Sequence, residues 1–340
     1  MCAKRRVVFR ADGNARIGLG HVVRSLALAD VLREHFDLAF AIQRPTTEVA
    51  DMVLKVCGRL LPLPQTDDLR ADADAFCGEL QPGDVVVLDG YRFDAAYQKA
   101  CRDDGHRFLV CIDDLQSVHM YADAVINHGG GIDAAAYEME PYTRLFLGPE
   151  YALLRRPFMD IDPGLRQFAN LNQFFVCMGG ADPLNLSRLA LDALARVPEV
   201  SHVIVVTGSA NPFREELEAL LPDFPFTGQV LHNLDALAMC RAMQSCGSAI
   251  VPASSVAIEA CAVGMRIFAG YFADNQKPFA NYLASRGLAN PLGELTHATA
   301  AGLAARIRTA PDSARMVARQ QTIFGGRQRH NLFSIFKLWI

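Results

Sequence analysis

The sequence has no Cys-x-x-Cys pair, no histidine at zinc-finger spacing from its cysteines and no excess of basic charge. Nine cysteines, an odd number, are scattered at positions 2, 57, 77, 101, 111, 177, 240, 246 and 261. Such scatter argues against a disulfide framework or a structural zinc site. It fits free, mostly buried thiols in a reducing cytoplasm, so a cytoplasmic location is expected. With 33 basic against 37 acidic side chains and a net charge of −4, the chain lacks the electrostatic footprint of a nucleic-acid binder. No stretch approaches the roughly 18 apolar residues of a membrane span, and no membrane insertion is expected. Met1-Cys2-Ala3-Lys4-Arg5-Arg6 has the charge of a secretory leader, but only Val7-Val8-Phe9 follow before Arg10, too few for its apolar region.

Several catalytic signatures are missing as well. There is no Gly-x-x-x-x-Gly-Lys-Ser/Thr phosphate loop, no His-Glu-x-x-His and no Gly-x-Ser-x-Gly elbow. Gly18-x-Gly20 runs into His21 instead of completing Gly-x-Gly-x-x-Gly, and no acidic residue ends a second strand at dinucleotide distance. A nicotinamide-dependent dehydrogenase is therefore not expected, and no cofactor is called for. Asp113-Asp114 has the charge for Mg²⁺, but adjacent carboxylates on a strand point to opposite faces and read more simply as a cap or a solvated turn. No metal site is assigned.

What is present is a well-fed core: 340 residues, 51% hydrophobic and 21% charged, enough for two domains of about 150 residues each. In the first half, Val7-Val8-Phe9, Leu38–Ile42, Val85–Leu88, Phe108–Ile112, Ala124–Ile126 and Leu145–Leu147 are short runs apolar on both faces. Such runs belong in a parallel sheet covered by helices on each side. Several end in polar tips, Asp89-Gly90-Tyr91, Asp113-Asp114-Leu115 and Asn127-His128-Gly129-Gly130-Gly131, which in an open α/β sheet line the ligand crevice. Prolines 157 and 163 with Gly164 mark a connection, and a second series follows: Phe174–Val176, Val203–Val206, Ala249–Val251 and Arg266–Ala269. The expected organisation is an α/β chain of two doubly wound domains, 1–160 and 165–340. The tail Asn331–Ile340 carries apolar residues at helical spacing and the only tryptophan. Packing back onto the first domain is its simplest role, a partner surface the alternative. A monomer or weak oligomer is expected.

The stretch Ile17-Gly18-Leu19-Gly20-His21-Val22-Val23-Arg24 stands between the first strand and the first helix. It places backbone N–H groups and a histidine at the mouth of a crevice. A tight turn and a satisfied surface histidine are the plain alternatives. In the second half, Cys177-Met178-Gly179-Gly180 runs from a strand into a helix start, a second anion-friendly turn. Pro252-Ala253-Ser254-Ser255 opens a helix that carries Glu259. Serines and free amides there suit a diphosphate, and Glu259 suits two ribose hydroxyls. A capping box is the plain alternative, with Glu259 one residue too far from Ser255 for it. Ala273-Asp274-Asn275-Gln276 reads either as a helix cap or as a loop presenting Asn275 and Gln276 to a ligand.

Taken in order, Phe9-Arg10-Ala11-Asp12…Gly18-x-Gly20-His21…Arg24, Tyr151-Ala152-Leu153-Leu154-Arg155, Cys177-Met178-Gly179-Gly180…Asp182, Ser254-Ser255…Glu259 and Asn275-Gln276 resemble one family. It is the UDP-2,4-diacetamido-2,4,6-trideoxy-β-L-altropyranose hydrolases of bacterial pseudaminic acid biosynthesis, with their spore-coat relatives. The resemblance spans about residues 7 to 276. It implies a GT-B fold like that of MurG-type glycosyltransferases, with an interdomain cleft and UDP held by the second domain. It implies metal-independent hydrolysis of a UDP-sugar, releasing UDP and the free sugar with inversion. His21 is then the general base, a task the ordinary histidine pKa of about 6.5 suits. Asp12, Asn14 and Tyr91 are expected to contact the sugar, Asp12 also to orient His21 or the water, and Gly18 and Gly20 to leave room beside the base. Arg155 either touches the ligand from the hinge or holds the domains structurally. Ser25 stands where many members carry cysteine, and Ala253-Ser254-Ser255 replaces a Gly-Gly-Ser-Thr form while keeping both hydroxyls. The alternative is a GT-B glycosyltransferase using a UDP-N-acetyl sugar donor, for which Leu60-Leu61-Pro62-Leu63-Pro64 is a candidate acceptor surface, diluted by nearby acids. A nonenzymatic nucleotide-sugar scaffold is the third reading.

Overall fold

The computed structural model describes residues 4–13, 18–162, 170–310 and 313–339. Asn14 and Ile17 of the glycine-turn motif, and Pro163-Gly164 of the expected connection, lie outside them. The chain divides into two units, Met1–Arg155 together with Arg327–Ile340, and Arg156–Gly326.

The first unit runs β1 (Arg6–Ala11), α1 (Gly20–Leu32), β2 (Asp37–Gln43), α2 (Thr47–Cys57), β3 (Leu60–Leu63), α3 (Leu69–Gly78), β4 (Val85–Asp89), α4 (Ala95–Arg102), β5 (Phe108–Ile112), β6 (Ala124–Asn127) and β7 (Arg144–Leu147). Its sheet is parallel, in the order β3-β2-β1-β4-β5-β6-β7. The inner strands are the apolar runs read from the sequence. Val7, Val8, Phe9, Val85, Val86 and Val87 have no exposed surface, because helices cover both faces. The order reverses between β1 and β4, which pair with Ala11 opposite Asp89. In an open α/β sheet that reversal opens the crevice beyond the carboxyl ends of the two strands.

The second unit runs α5 (Arg156–Met159), β8 (Gln173–Val176), α6 (Leu186–Leu194), β9 (His202–Thr207), α7 (Arg214–Leu220), β10 (Thr227–His232), α8 (Ala236–Gln244), β11 (Ser248–Pro252), α9 (Ser255–Val263), β12 (Arg266–Tyr271), α10 (Lys277–Ser285), β13 (Asn290–Glu294), α11 (Ala300–Arg308) and α12 (Ser313–Ile323). Its parallel sheet, β10-β9-β8-β11-β12-β13, reverses between β8 and β11. Phe174, Val176, Val203, Val205, Ile250 and Phe268 form the centre of its core.

Two differences from the sequence expectation have physical reasons. Strands β3, β10 and β13 were not anticipated, and all three are edge strands. An edge needs no unbroken apolar run, and β3 and β13 each carry a proline inside the run, which an edge strand tolerates. The second difference is the tail. The expected second domain reached residue 340, but α13 (Gln328–Phe336) belongs with the first unit. There the Phe333 ring lies 4.5 Å from that of His35, Trp339 stacks on Phe108 at 5.4 Å, and Asn331 donates to the Glu150 carbonyl at 3.0 Å. Leu332, Ile335, Phe336 and Trp339 are buried in this packing.

Candidate active site at the switch point of the first sheet

Gly18 adopts φ +78°, a left-handed turn that favours glycine, and α1 begins two residues later. Gly13 allows this turn to close. A Cβ there would come within 2.7 Å of the Val22 side chain. The N-cap, Leu19, makes no side-chain cap bond to the first-turn amides of α1. Gly18 and Gly20 are exposed, and among the described residues no atom outside their chain neighbours and the helix's own backbone lies within 4 Å of where a side chain would begin.

His21, Arg24 and Ser25 stand at helical spacing on one face of α1 and converge on Asp89, the fully buried last residue of β4. His21 Nδ1 lies 2.7 Å from Asp89 Oδ1. Arg24 binds the same carboxylate through Nε at 2.8 Å and Nη2 at 2.6 Å. The Ser25 hydroxyl donates to its second oxygen at 3.0 Å. Ser25 thus supplies a donor to this carboxylate. Burial works to raise the Asp89 carboxyl, but the Arg24 charge and the hydrogen bonds from His21 and Arg24 outweigh it and hold it below the usual carboxylate range. An ionised carboxylate only accepts, so the 2.7 Å contact requires the imidazole proton on Nδ1. Arg24 Nη2, 3.1 Å from the same nitrogen, is then a neighbour and not a donor to it. In the neutral ring Nε2 is then the acceptor, the arrangement a general base needs.

The Tyr91 ring meets His21 edge-on at 4.6 Å and is 55% exposed. Its hydroxyl donates to Asp114 Oδ2 at 3.2 Å, the oxygen that also accepts from Arg24 Nη1 at 2.9 Å. At the tip of β6, His128 is buried and accepts the Leu153 N–H on Nδ1 at 3.2 Å. Burial, then the charge of Arg24, pushes this imidazole down to about 4, so at neutral pH it is an uncharged ring with its proton on Nε2.

Asp12 does not orient the imidazole. Arg10, itself without exposed surface, grips it with both terminal nitrogens at 2.6 and 2.8 Å, and the Gln43 N–H donates to it at 2.9 Å. The same guanidinium binds Asp72, which also accepts from Gln43 Nε2 at 2.6 Å and the Tyr97 hydroxyl at 2.9 Å. Asp12 is thereby a member of a buried ion-pair network under the crevice. The partner of His21 is Asp89, which sequence reasoning quoted as a strand tip without a role. The missed signal was its position: one carboxylate closing an otherwise apolar strand, with His21 and Arg24 three residues apart on a helix. Arg155 is half-buried and is the last residue of the first unit before the division.

In the second unit, Met178-Gly179-Gly180 follow β8 and Ser254-Ser255 follow β11, the two strands at that sheet's reversal. Gly179 has φ +92°, and Gly180 passes so close to Gly208 that a Cβ on Gly208 would lie 2.6 Å from the Gly180 backbone. The anion-friendly reading of this turn needs correcting at α6. Asp182 caps that helix, accepting from the Leu186 and Ser187 amides at 2.8 and 2.9 Å, so those donors are already taken. Burial, against these amide bonds, raises its carboxyl. Helix α9 differs: its N-cap Ser254 makes no side-chain cap bond, and Ser255 is exposed. With Ser254 at the N-cap, the capping-box position is Ala257, so Glu259 is not part of a capping box. Glu259 is buried one turn into the helix, 6% exposed. Asn275 is exposed, whereas Gln276 Oε1 accepts the Phe272 N–H at 3.1 Å, a loop-closing role. Among the described residues no cluster of three or more His, Cys, Asp or Glu side chains is placed to hold a metal ion. No helix among them is long and apolar enough to cross a membrane.

No family model matches the chain. It is similar to the UDP-2,4-diacetamido-2,4,6-trideoxy-beta-L-altropyranose hydrolase of Campylobacter jejuni, 26% identical over 293 residues, covering 83% of this chain and 97% of that protein. It is also similar to the spore coat polysaccharide biosynthesis protein SpsG of Bacillus subtilis, 24% identical over 291 residues, covering 83% of this chain and 82% of that protein. Among solved structures, MurG of Acinetobacter baumannii matches with a TM-score of 0.68 at 17% identity, covering 98% of this chain and 99% of that one. The fold is of the GT-B type.

Proposed function

We propose that this GT-B chain hydrolyses a UDP-activated diacetamido-trideoxy sugar at its anomeric carbon, releasing UDP and the free sugar with inversion, as a step in pseudaminic-type nonulosonic acid biosynthesis. The observation that carries the reading is the 2.7 Å pairing of His21 with Asp89 beside two unobstructed glycines. The near-full-length similarity to the Campylobacter jejuni hydrolase supplies the substrate class.

In this reading a water attacks the anomeric carbon and His21 Nε2 takes its proton. Asp89 holds the Nδ1 proton and offsets the charge of the imidazolium that forms. General-base catalysis of this kind is worth roughly 10²–10⁴-fold. The bond to the UDP oxygen breaks with its electron pair leaving on the diphosphate, and one displacement inverts the configuration. The second unit binds UDP: amides at the start of α9 with Ser254 and Ser255 face the diphosphate, where the helix dipole favours negative charge, and Glu259 takes the ribose hydroxyls. Met178, Gly179, Gly180 and Asn275 complete that side, while Tyr91, Gly18 and Gly20 receive the sugar. No metal takes part.

The fold shared with MurG favours a second reading, transfer of the sugar to an acceptor hydroxyl. One experiment separates the two. Incubation with UDP-diacetamido sugars in EDTA, without acceptor, is followed by NMR for UDP release and anomeric configuration. Turnover with inversion is expected, and His21→Ala is expected to abolish it with UDP affinity nearly intact. No turnover on any such sugar shifts weight to the transferase, and wild-type-like turnover by His21→Ala removes the base.

A further inference from the structure

Arg24 is held between two carboxylates. Its Nε and Nη2 serve Asp89, its Nη1 serves Asp114 at 2.9 Å, and Nη2 stands 3.1 Å from His21 Nδ1. A guanidinium that close to an imidazole opposes the ring's taking a proton. Among the described residues, the groups that face His21 come from α1, from β4 and from the turns after β4 and β5. Arg24 and Ser25 are on α1, Asp89 ends β4, Tyr91 follows it, and Asp114 follows β5. His128, at the tip of β6, also faces Arg24 but is uncharged at neutral pH. Asp113 turns elsewhere, accepting from the Leu115 and Gln116 amides and the Tyr137 hydroxyl. Among the described residues the charged members are thus one cation and two carboxylates. With a neutral imidazole the cluster carries one excess negative charge, and a proton on His21 brings it to zero. Without Asp114, the Asp89–Arg24 pair is already neutral and no second carboxylate among the described residues remains to balance an imidazolium.

The hydrogen bonding of Asp114 points the same way. Oδ2 accepts from both Arg24 and Tyr91, while the buried Oδ1 has no hydrogen-bond partner among the described residues. Most buried side-chain polar atoms have a hydrogen-bond partner. Among the described residues, one oxygen serves the groups that touch His21, and the other has no hydrogen-bond partner.

We propose that Asp114 is a positioning residue which, through Arg24, sets how readily the His21 imidazole holds a proton and keeps the Tyr91 ring against it. The part of this that concerns rate rests on the hydrolase reading; the part that concerns the imidazole does not.

The test is an NMR titration of the His21 ring in the full-length protein with isotope-labelled histidine, the resonance assigned by its loss in His21→Gln. Wild type, Asp114→Asn and Asp114→Glu are compared without substrate. In Asp114→Asn the midpoint is expected to fall by about half a pH unit or more, and Asp114→Glu to return most of the way. UDP release by Asp114→Asn is expected to lose about tenfold in kcat, with KM changed less than about threefold and the acidic limb of kcat/KM moved to lower pH. A midpoint unchanged in Asp114→Asn, with thermal melting showing the variant folded, overturns the proposal. Because the midpoint is read without substrate, a wild-type protein that releases no UDP sinks the hydrolase reading and leaves this comparison decisive for Asp114.

Discussion

The imidazole of His21 and the carboxylate of Asp89 meet at 2.7 Å, although 68 residues separate them in the chain. Parallel pairing of β1 with β4 sets Asp89 opposite Ala11, and the turn through Gly18 brings α1 back over that edge. The contact is therefore a product of strand order, and its consequences for the chemistry are open to measurement.

Asp89→Asn tests whether the carboxylate acts on the imidazole. An amide keeps the shape but offers no charge to an imidazolium and leaves the Nδ1 proton less firmly placed. UDP release is expected to fall by about 10²–10⁴-fold. Because the change also strips Arg24 of its buried partner, a loss of about 3–5 kcal/mol of stability is expected in denaturant melts. A folded Asp89→Asn protein with full turnover would remove Asp89 from the mechanism.

Glu259→Ala is expected to weaken UDP binding about tenfold or more in titration calorimetry. The side chain is buried and proposed to accept from two ribose hydroxyls, each bond to a charged group contributing about 1.5–3 kcal/mol before rearrangement. Unchanged affinity for UDP takes the residue out of the nucleotide site.

Gly208→Ala probes the glycine turn of the second unit from the outside. The added methyl would sit 2.6 Å from the Gly180 backbone, so the turn after β8 must shift. A loss of about 1–3 kcal/mol in stability is expected, the usual range for forced overpacking, together with weaker UDP binding. Crystals or NMR spectra with the turn unmoved, and UDP affinity at the wild-type level, would separate that turn from nucleotide binding.

His128 makes a pH prediction. Its folded value, about 4, lies below the ordinary 6.5, so between these values the unfolded chain binds the proton and the folded chain does not. Stability therefore rises with pH across this window and is lost as pH falls from about 6.5 toward 4, by about 3 kcal/mol in all. His128→Asn keeps an acceptor for the Leu153 N–H and has no proton to gain. Its denaturant midpoint is expected to depend less on pH between 4 and 6.5 than that of the wild type. Parallel curves for the two proteins would show that the ring titrates normally in the fold.

Much of the site's position was legible in the chain. Val85-Val86-Val87-Leu88 ending in Asp89, and a glycine turn leading into His21, mark strand tips because inner parallel strands are apolar on both faces and change character where they leave the sheet. Less was legible at the edges. β10 carries Gln229 between Gly228 and Val230, and β13 carries Pro291, because an edge strand answers to one neighbour and to solvent. Asp12 misled for a related reason. Its place near His21 in sequence suggested a partnership, whereas the buried Arg10 beneath it claims both its oxygens.

Residue order alone determined the two series of parallel strands, the helix after the first glycine turn and the histidine at its mouth. These follow from local periodicity, backbone freedom at glycine and the burial of apolar runs, all of which act over a few neighbouring residues. Tertiary structure decided which carboxylate serves His21, that Asp182 occupies the amides of α6 while the N-cap of α9 makes no such bond, and that the last helix returns to the first unit. Those outcomes depend on strand order and on which buried cation reaches which acid, and a buried charge takes the partner that packing places within reach, however far away it lies along the chain.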